Sequence, residues 1–204
     1  MSRAKFVVAL CALVFGVAGS ANAITFDLTQ PVSYTWAPSI QIWDTTGTYM
    51  LTATGLVSGS NRNVVRSSSG IGVWSGSILE DPEVDGLGDD ETLVLDLGLA
   101  QLMLESITFT RVGLDDDFRL IVDSVVQIAS ADIPGGNILG TSVSVYQVLP
   151  QLLGSVFSLT VPNWNDDYKV SQVTFSGSVP EPMTLALFGV GLVGLGLRKR
   201  ARRA

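Results

Sequence analysis

The sequence predicts an all-β fold, an antiparallel β-sandwich or jelly-roll-like domain spanning residues 24–178. Three observations carry this. Short runs rich in branched and aromatic residues alternate apolar with polar. Turn clusters separate them at close intervals. No stretch between the ends sustains a helical period.

In chain order, the strand candidates are 24–29, 40–44, 48–56 and 71–75, then Thr92–Leu97, Ser106–Thr110, Phe118–Leu120, Val143–Tyr146, Ser155–Val161 and 168–176. Ser106-Ile107-Thr108-Phe109-Thr110 alternates strictly, as a half-buried strand should. Between the runs lie Ser58-Gly59-Ser60-Asn61, Pro134-Gly135-Gly136-Asn137 and Pro162-Asn163-Trp164-Asn165, residues that favour turns. Leu97–Glu105 is the nearest approach to a helix, and Gly98 and the strand after it argue against one. Asp116-Asp117-Phe118-Arg119-Leu120 returns 50 residues later as Asp166-Asp167-Tyr168-Lys169-Val170. Each reads as an acidic turn entering a strand, with the aromatic facing inward and the base outward.

Both ends read as targeting segments. Arg3 and Lys5 precede an apolar run of 13 residues, Phe6–Ala18, and Ala21-Asn22-Ala23 is a small-x-small cleavage site. Residues 1–23 are thus a signal peptide for signal peptidase, and the mature chain begins at Ile24. Cys11 leaves with it, and Leu10 before it is too large for a lipoprotein signal. At the other end, Pro180-Glu181-Pro182 precedes Met183–Leu197, 15 uncharged residues, and then Arg198, Lys199, Arg200, Arg202 and Arg203. An apolar run closed by bases is a stop-transfer pattern, with the bases held in the cytoplasm. As a helix, the run rises about 22 Å, short of a hydrocarbon core of about 30 Å, a gap that snorkelling and local thinning can close.

Pro-Glu-Pro, the Gly-rich apolar segment 183–197 and the basic tail 198–204 together resemble the PEP-CTERM sorting signal over residues 179–204. The resemblance implies export in a bacterium with a double-membrane envelope. A transient inner-membrane anchor is then processed by an exosortase near Pro180-Glu181-Pro182, releasing the protein to the cell surface or extracellular matrix. It also implies a setting of exopolysaccharide, biofilm or floc. The preceding domain is loosely similar to the β-rich exported domains that often carry this signal, through Gly70-Ile71-Gly72-Val73, Asp85-Gly86, Asp90-Glu91-Thr92-Leu93, Ser106-Ile107-Thr108-Phe109 and Asp116-Asp117-Phe118.

Composition narrows the chemistry. The chain has no His and one Cys, and its formal net charge is −7. No imidazole base, His metal ligand or disulfide is available to the exported domain. Residues 24–180 hold 18 acids and five bases, a balance of −13 that argues against nucleic-acid binding. The acids cluster, and carboxylates in loops are calcium ligands. The candidates are Asp81, Glu83, Asp85, Asp89, Asp90, Asp116 and Asp117. Asp81, Glu83, Asp85 and Gly86 begin like an EF-hand loop, but its third position is Glu and its twelfth falls on Thr92. Solvated acidic turns are the simpler reading of the same residues.

Trp164, in the polar turn Asn163-Trp164-Asn165, is the candidate for stacking on a sugar, whereas Trp36, Trp43 and Trp74 sit in apolar patterns that suggest the core. Glycoside hydrolysis would need two opposed carboxylates. Glu105 and Arg111 share the phase of Ile107 and Phe109 and are expected on the inner face at strand ends, where they can pair. The reading is a non-catalytic, structural or adhesive exported protein. The alternative is a calcium-dependent carbohydrate-binding module, with a carboxylate glycosidase a distant third.

Overall fold

A computed structural model describes residues 23–30, 34–76, 82–87 and 90–177. Among these the chain is all β, with fourteen strands, no helix and antiparallel pairing throughout. The strands are β1 (Ala23–Asp27), β2 (Thr35–Ala37), β3 (Ser39–Trp43), β4 (Met50–Val57), β5 (Ser60–Ser67), β6 (Gly70–Trp74), β7 (Val84–Asp85), β8 (Glu91–Asp96), β9 (Leu102–Val112), β10 (Asp117–Val122), β11 (Val125–Asp132), β12 (Ser142–Gly154), β13 (Val156–Thr160) and β14 (Asp167–Ser176). The predicted signal peptide up to Asn22 and the membrane and sorting segment from 178 lie outside the described residues.

One curled sheet runs β11-β10-β13-β8-β4-β5-β6-β14-β9-β12, with β1 and β7 on β14, β2 on β5 and β3 on β4. It folds into two layers because β5 changes partner along its length. Ser60–Arg62 pairs with β4, whereas Val64–Ser67 pairs with β6 and β2. A strand that passes between layers is how a single sheet turns a corner. Between β4 and β5, Ser58 and Gly59 both take positive φ, and Asp123 and Ser124 do so between β10 and β11. Two-residue loops of this kind match the right-handed twist of the strands they join.

The layers close on aromatic side chains. Phe109 of β9 lies 5.0 Å from both Phe118 of β10 and Tyr168 of β14. Phe118 meets Tyr146 of β12 at 4.7 Å, and Phe157 of β13 meets Phe175 of β14 at 5.1 Å. Alternation is followed in β10, where Phe118, Leu120 and Val122 are buried, and in β4, where Leu51, Ala53 and Val57 are.

Three expectations change. The first is phase. Leu102 and Leu104 point inward, as do Ile107 and Phe109, so β9 slips by one residue at Glu105–Ser106. Its register against both β12 and β14 shifts there. Glu105 therefore leaves the inner face and accepts from Gln151 Nε2 at 2.9 Å. It does not pair with Arg111. The second is the base of the repeated pentapeptide. Arg119 points outward, donating to the Ala129 carbonyl, but Lys169 is only 2% exposed and is engaged. Unlike β10, β14 is additionally paired by β7 just before this residue. The third is the tryptophans. Trp36 and Trp43 are 47% and 59% exposed, because their strands β2 and β3 lie at the margins of the layers and turn these residues outward. Trp36 rests edge-on against Trp74 at 5.0 Å.

Phe109 packs on an aromatic from each layer, so Phe109→Ala should cost about 3–5 kcal/mol. Urea unfolding should show a lower midpoint, with Thr108→Ala, one residue away on the outer face, left near wild type.

Candidate functional site

The two copies of the Asp-Asp-aromatic pattern meet at one end of the sandwich. Each enters its strand through a turn closed by its first aspartate. Asp116 Oδ2 accepts from the Gly113 N–H, and Asp166 Oδ2 accepts from the Asn163 N–H at 2.9 Å. In both turns the donor lies three residues earlier, so the side chain substitutes for a backbone acceptor. The turns then bind each other. The Asp167 N–H donates to Asp116 Oδ1 at 3.4 Å, and Asn165 Nδ2 donates to Asp115 Oδ2 at 3.0 Å. The 50-residue recurrence is thus a spatial pair, with Phe118 and Tyr168 on Phe109 beneath it.

The segment before β8 joins this end. Asp85 pairs with Asp167 and Val84 with Tyr168. The Gly86 N–H donates to the Asp166 carbonyl at 3.3 Å. Only glycine fits at 86, since a Cβ there would lie 2.2 Å from the Asn163 carbonyl oxygen and 2.9 Å from Trp164 Cα. Asp85 accepts from the Leu87 N–H at 2.9 Å, and its own N–H donates to Glu91 Oε2 at 3.3 Å. Glu83 forms an ion pair with Arg111 Nε. Arg111 takes a φ of 61°, a conformation L-residues seldom adopt, at the second break in β9.

Burial of these acids has an electrostatic cost. Burial pushes the Asp116 carboxyl up to about 6, helped by the negative charges of Asp167 and Asp166 and opposed by the Gly113 and Asp167 amides. Asp166 is raised chiefly by burial, with the Asp117 and Asn163 amides offsetting part of it. Its Oδ1 is buried without a hydrogen bond of full geometry. Asp167 is also raised by burial, against a side-chain hydrogen bond with Glu83 and the attraction of Arg111. A hydrogen bond between two carboxyl groups requires one proton between them. Tyr168, fully buried, is raised by burial and by Asp166 and Asp116, and its hydroxyl donates to the Thr160 carbonyl at 3.0 Å.

Of the seven predicted calcium ligands, five lie among the described residues, and four of these are engaged with protein partners. Glu83 is held by Arg111, Asp85 caps Leu87, and Asp116 closes its turn. Asp117 accepts from Ser130 Oγ at 2.8 Å, and Asp90 is exposed. Asp81 and Asp89 lie outside the described residues. Among the described residues no group of three or more ligating side chains is arranged to hold a metal ion. What the linear reading missed is the Glu83–Arg111 pair and Glu91, joined by tertiary contacts across the sequence. Trp164 is where the polar turn suggested, 74% exposed at the tip of its loop. Leu114 occupies the matching position in the other turn and is also exposed.

Ala23, the last residue of the predicted leader, is the first of β1 and pairs with Ser176 at the end of β14. The family model of the PEP-CTERM protein-sorting motif matches residues 178–203. The chain carries a PEP-CTERM sorting signal. This motif marks an exported, exosortase-processed protein of Gram-negative bacteria. Its Pro180, Glu181, Pro182, Arg198, Lys199, Arg200, Arg202 and Arg203 lie outside the described residues, as does Ala21. No curated protein shows significant similarity to the chain.

A carboxyl raised on folding binds protons more tightly in the native state. Stability from this group is then present at low pH and lost as pH rises from about 4, the unfolded value, through about 6. Asp166 and Asp167 act in the same direction. Asp44 is opposite in sign: burial disfavours its charge, but hydrogen bonds from Thr46, Tyr49 and Thr48 hold it low, so its effect falls below about pH 4. The unfolding free energy from urea titrations should therefore drop between pH 5 and pH 7, by on the order of 1–3 kcal/mol. In Asp116→Asn, which keeps an oxygen acceptor without the charge, that drop should shrink.

Proposed function

We propose that the exported domain acts at the cell surface or in the exopolysaccharide matrix of a biofilm or floc, in a non-catalytic structural or adhesive role. The observation that carries this is the end where the acidic turns meet. Asp115, Asp116, Asp166 and Asp167 lie together there, and Leu114 and Trp164 stand out from the same turns. Exposed Asp115 with half-buried Asp117 and Asp167 gives this end an anionic rim, which with the projecting apolar tips suits contact with a matrix through divalent cations or through sugar faces. Asp116 and Asp166 are occupied in closing turns, and Glu83 in an ion pair. That employment favours a scaffold over an acid–base pair.

A second reading, a calcium-dependent carbohydrate-binding module, is favoured by the exposure of Trp164 and further by that of Trp36 and Trp43. Aromatic faces open to solvent stack on sugar rings and contribute little to the core. Calcium would be taken by acids of the 81–91 segment and of the paired turns, and exopolysaccharide would be the partner.

Two experiments test these readings. Mass spectrometry of protein from the medium should find the chain ending near Pro180-Glu181-Pro182, with the arginine tail confined to the membrane fraction; an intact tail in both fractions would refute processing. Glycan-array binding with calcium and with chelator decides the second reading. Calcium-dependent binding that is lost in Trp164→Ala supports the module, and binding to no glycan under either condition leaves the structural role.

A further inference from the structure

We infer that the exposed edge of β12 is a self-association surface, pairing antiparallel with β12 of a second copy of this chain. The strand ends the sheet order, and among the described residues it pairs with β9 alone. Its outward side chains include Val143 (68% exposed), Val145 (49%) and Leu149 (84%). An edge of free amides and carbonyls is a template for another strand, and soluble proteins normally guard it with charge. Here the guard is missing. Residues 133–165, 33 in a row, contain no Asp, Glu, Lys or Arg, in a domain with 18 acids and five bases.

The charge distribution selects the occupant. A basic partner would be drawn to the acidic turns, and β12 offers it nothing to pair with. Two copies of a strongly anionic domain repel across most of their surfaces, and a strand edge without charge of its own, with Glu105 tied to Gln151 beyond the usable stretch, is where they can approach within a Debye length of about 8 Å. The antiparallel sense follows from the same constraint. Ser142 pairs with Val112, next to the acidic turn that Asp116 closes. A two-fold axis across β12 sends the acidic ends of the two copies in opposite directions. The usable stretch is Val143–Gln147, regularly paired with β9. Beyond it the register breaks until Leu152, and Pro150 has no N–H to give. At the other end of the sheet, β11 is a poorer template. Its pairing with β10 is irregular at two points, and Arg119, Asp117 and Asp132 flank it.

The test is the mass of the full chain in mild detergent, by light scattering over a concentration series, with Val145→Lys and the milder Gln147→Lys beside it. The expected result is a dimer that tightens as salt screens the net charge. Each lysine variant should dissociate at least roughly tenfold more readily, with an unchanged thermal melt. Hydrogen exchange at 143–147 should slow as concentration rises. A monomer at every concentration, or a dimer that both lysine variants leave intact, would overturn the inference. So would protection of 143–147 that is independent of concentration, which would mean that the chain's own C-terminal segment covers the edge.

Discussion

Everything at the acidic end depends on two carboxylates being buried with backbone donors in reach. Asp116 and Asp166 each draw in the amide three residues before them, and each contacts the opposite turn. Those bonds fix where β10 and β14 begin. That origin sets the phase of each strand and brings Phe118 and Tyr168 against Phe109. Since side chains alternate strictly along a strand, a turn that slipped by one residue would send each of these aromatics to solvent. A polar contact at the rim thereby specifies an apolar contact in the core. Its electrostatic cost is seen in the raised carboxyl groups, and the buried aromatics offset it.

β14 transmits that constraint. It pairs with β1, β6, β7 and β9, so it ties the first strand of the domain to one of its longest and to the acidic segment. Ala23 against Ser176 brings the two ends of the described fold together.

The legible parts of this fold were those where burial on one side is uniform. Strands β4 and β10 announce themselves by alternation, and the Asp-Asp-aromatic recurrence is visible in the sequence. β11 could not be, because Val125–Asp132 is exposed along nearly its whole length and leaves no hydrophobic phase to read. β5 begins in Ser60-Asn61-Arg62-Asn63, a polar tetrapeptide that reads as a turn but pairs regularly with β4 and β6. Glu105 was misplaced because extrapolating alternation assumes an unbroken ladder, and a one-residue slip in β9 reverses it. Trp36 and Trp43 were assigned to the core on apolar neighbours, whereas marginal strands expose one face whatever its residues. In the candidate site, Trp164 was legible from its polar flanks. The Glu83–Arg111 pair was not, since it joins residues 28 apart through a loop and a broken strand.

The sorting segment and the domain differ in the kind of information they hold. The PEP-CTERM motif is a linear pattern, recognised over 178–203 with no reference to how the rest of the chain folds. The domain's chemistry is tertiary: its acids gain significance only after two turns 50 residues apart in sequence are set side by side. Charge shows the same division. Taken as a list, the acids of 24–180 suggest diffuse solubility; placed on the fold, Glu83, Asp85, Asp115, Asp116, Asp166 and Asp167 meet at one end, Asp96 and Asp123 lie at the other, and 133–165 carries no charge at all. An anionic domain that sets one cluster of acids at the turns before β10 and β14 and leaves an open strand edge without charge has two unlike surfaces. On the proposals above, the first would meet cations and polar ligands and the second a further copy of the chain. If the exported domain both adheres and self-associates as proposed above, that separation would let the two proceed without competing for the same residues.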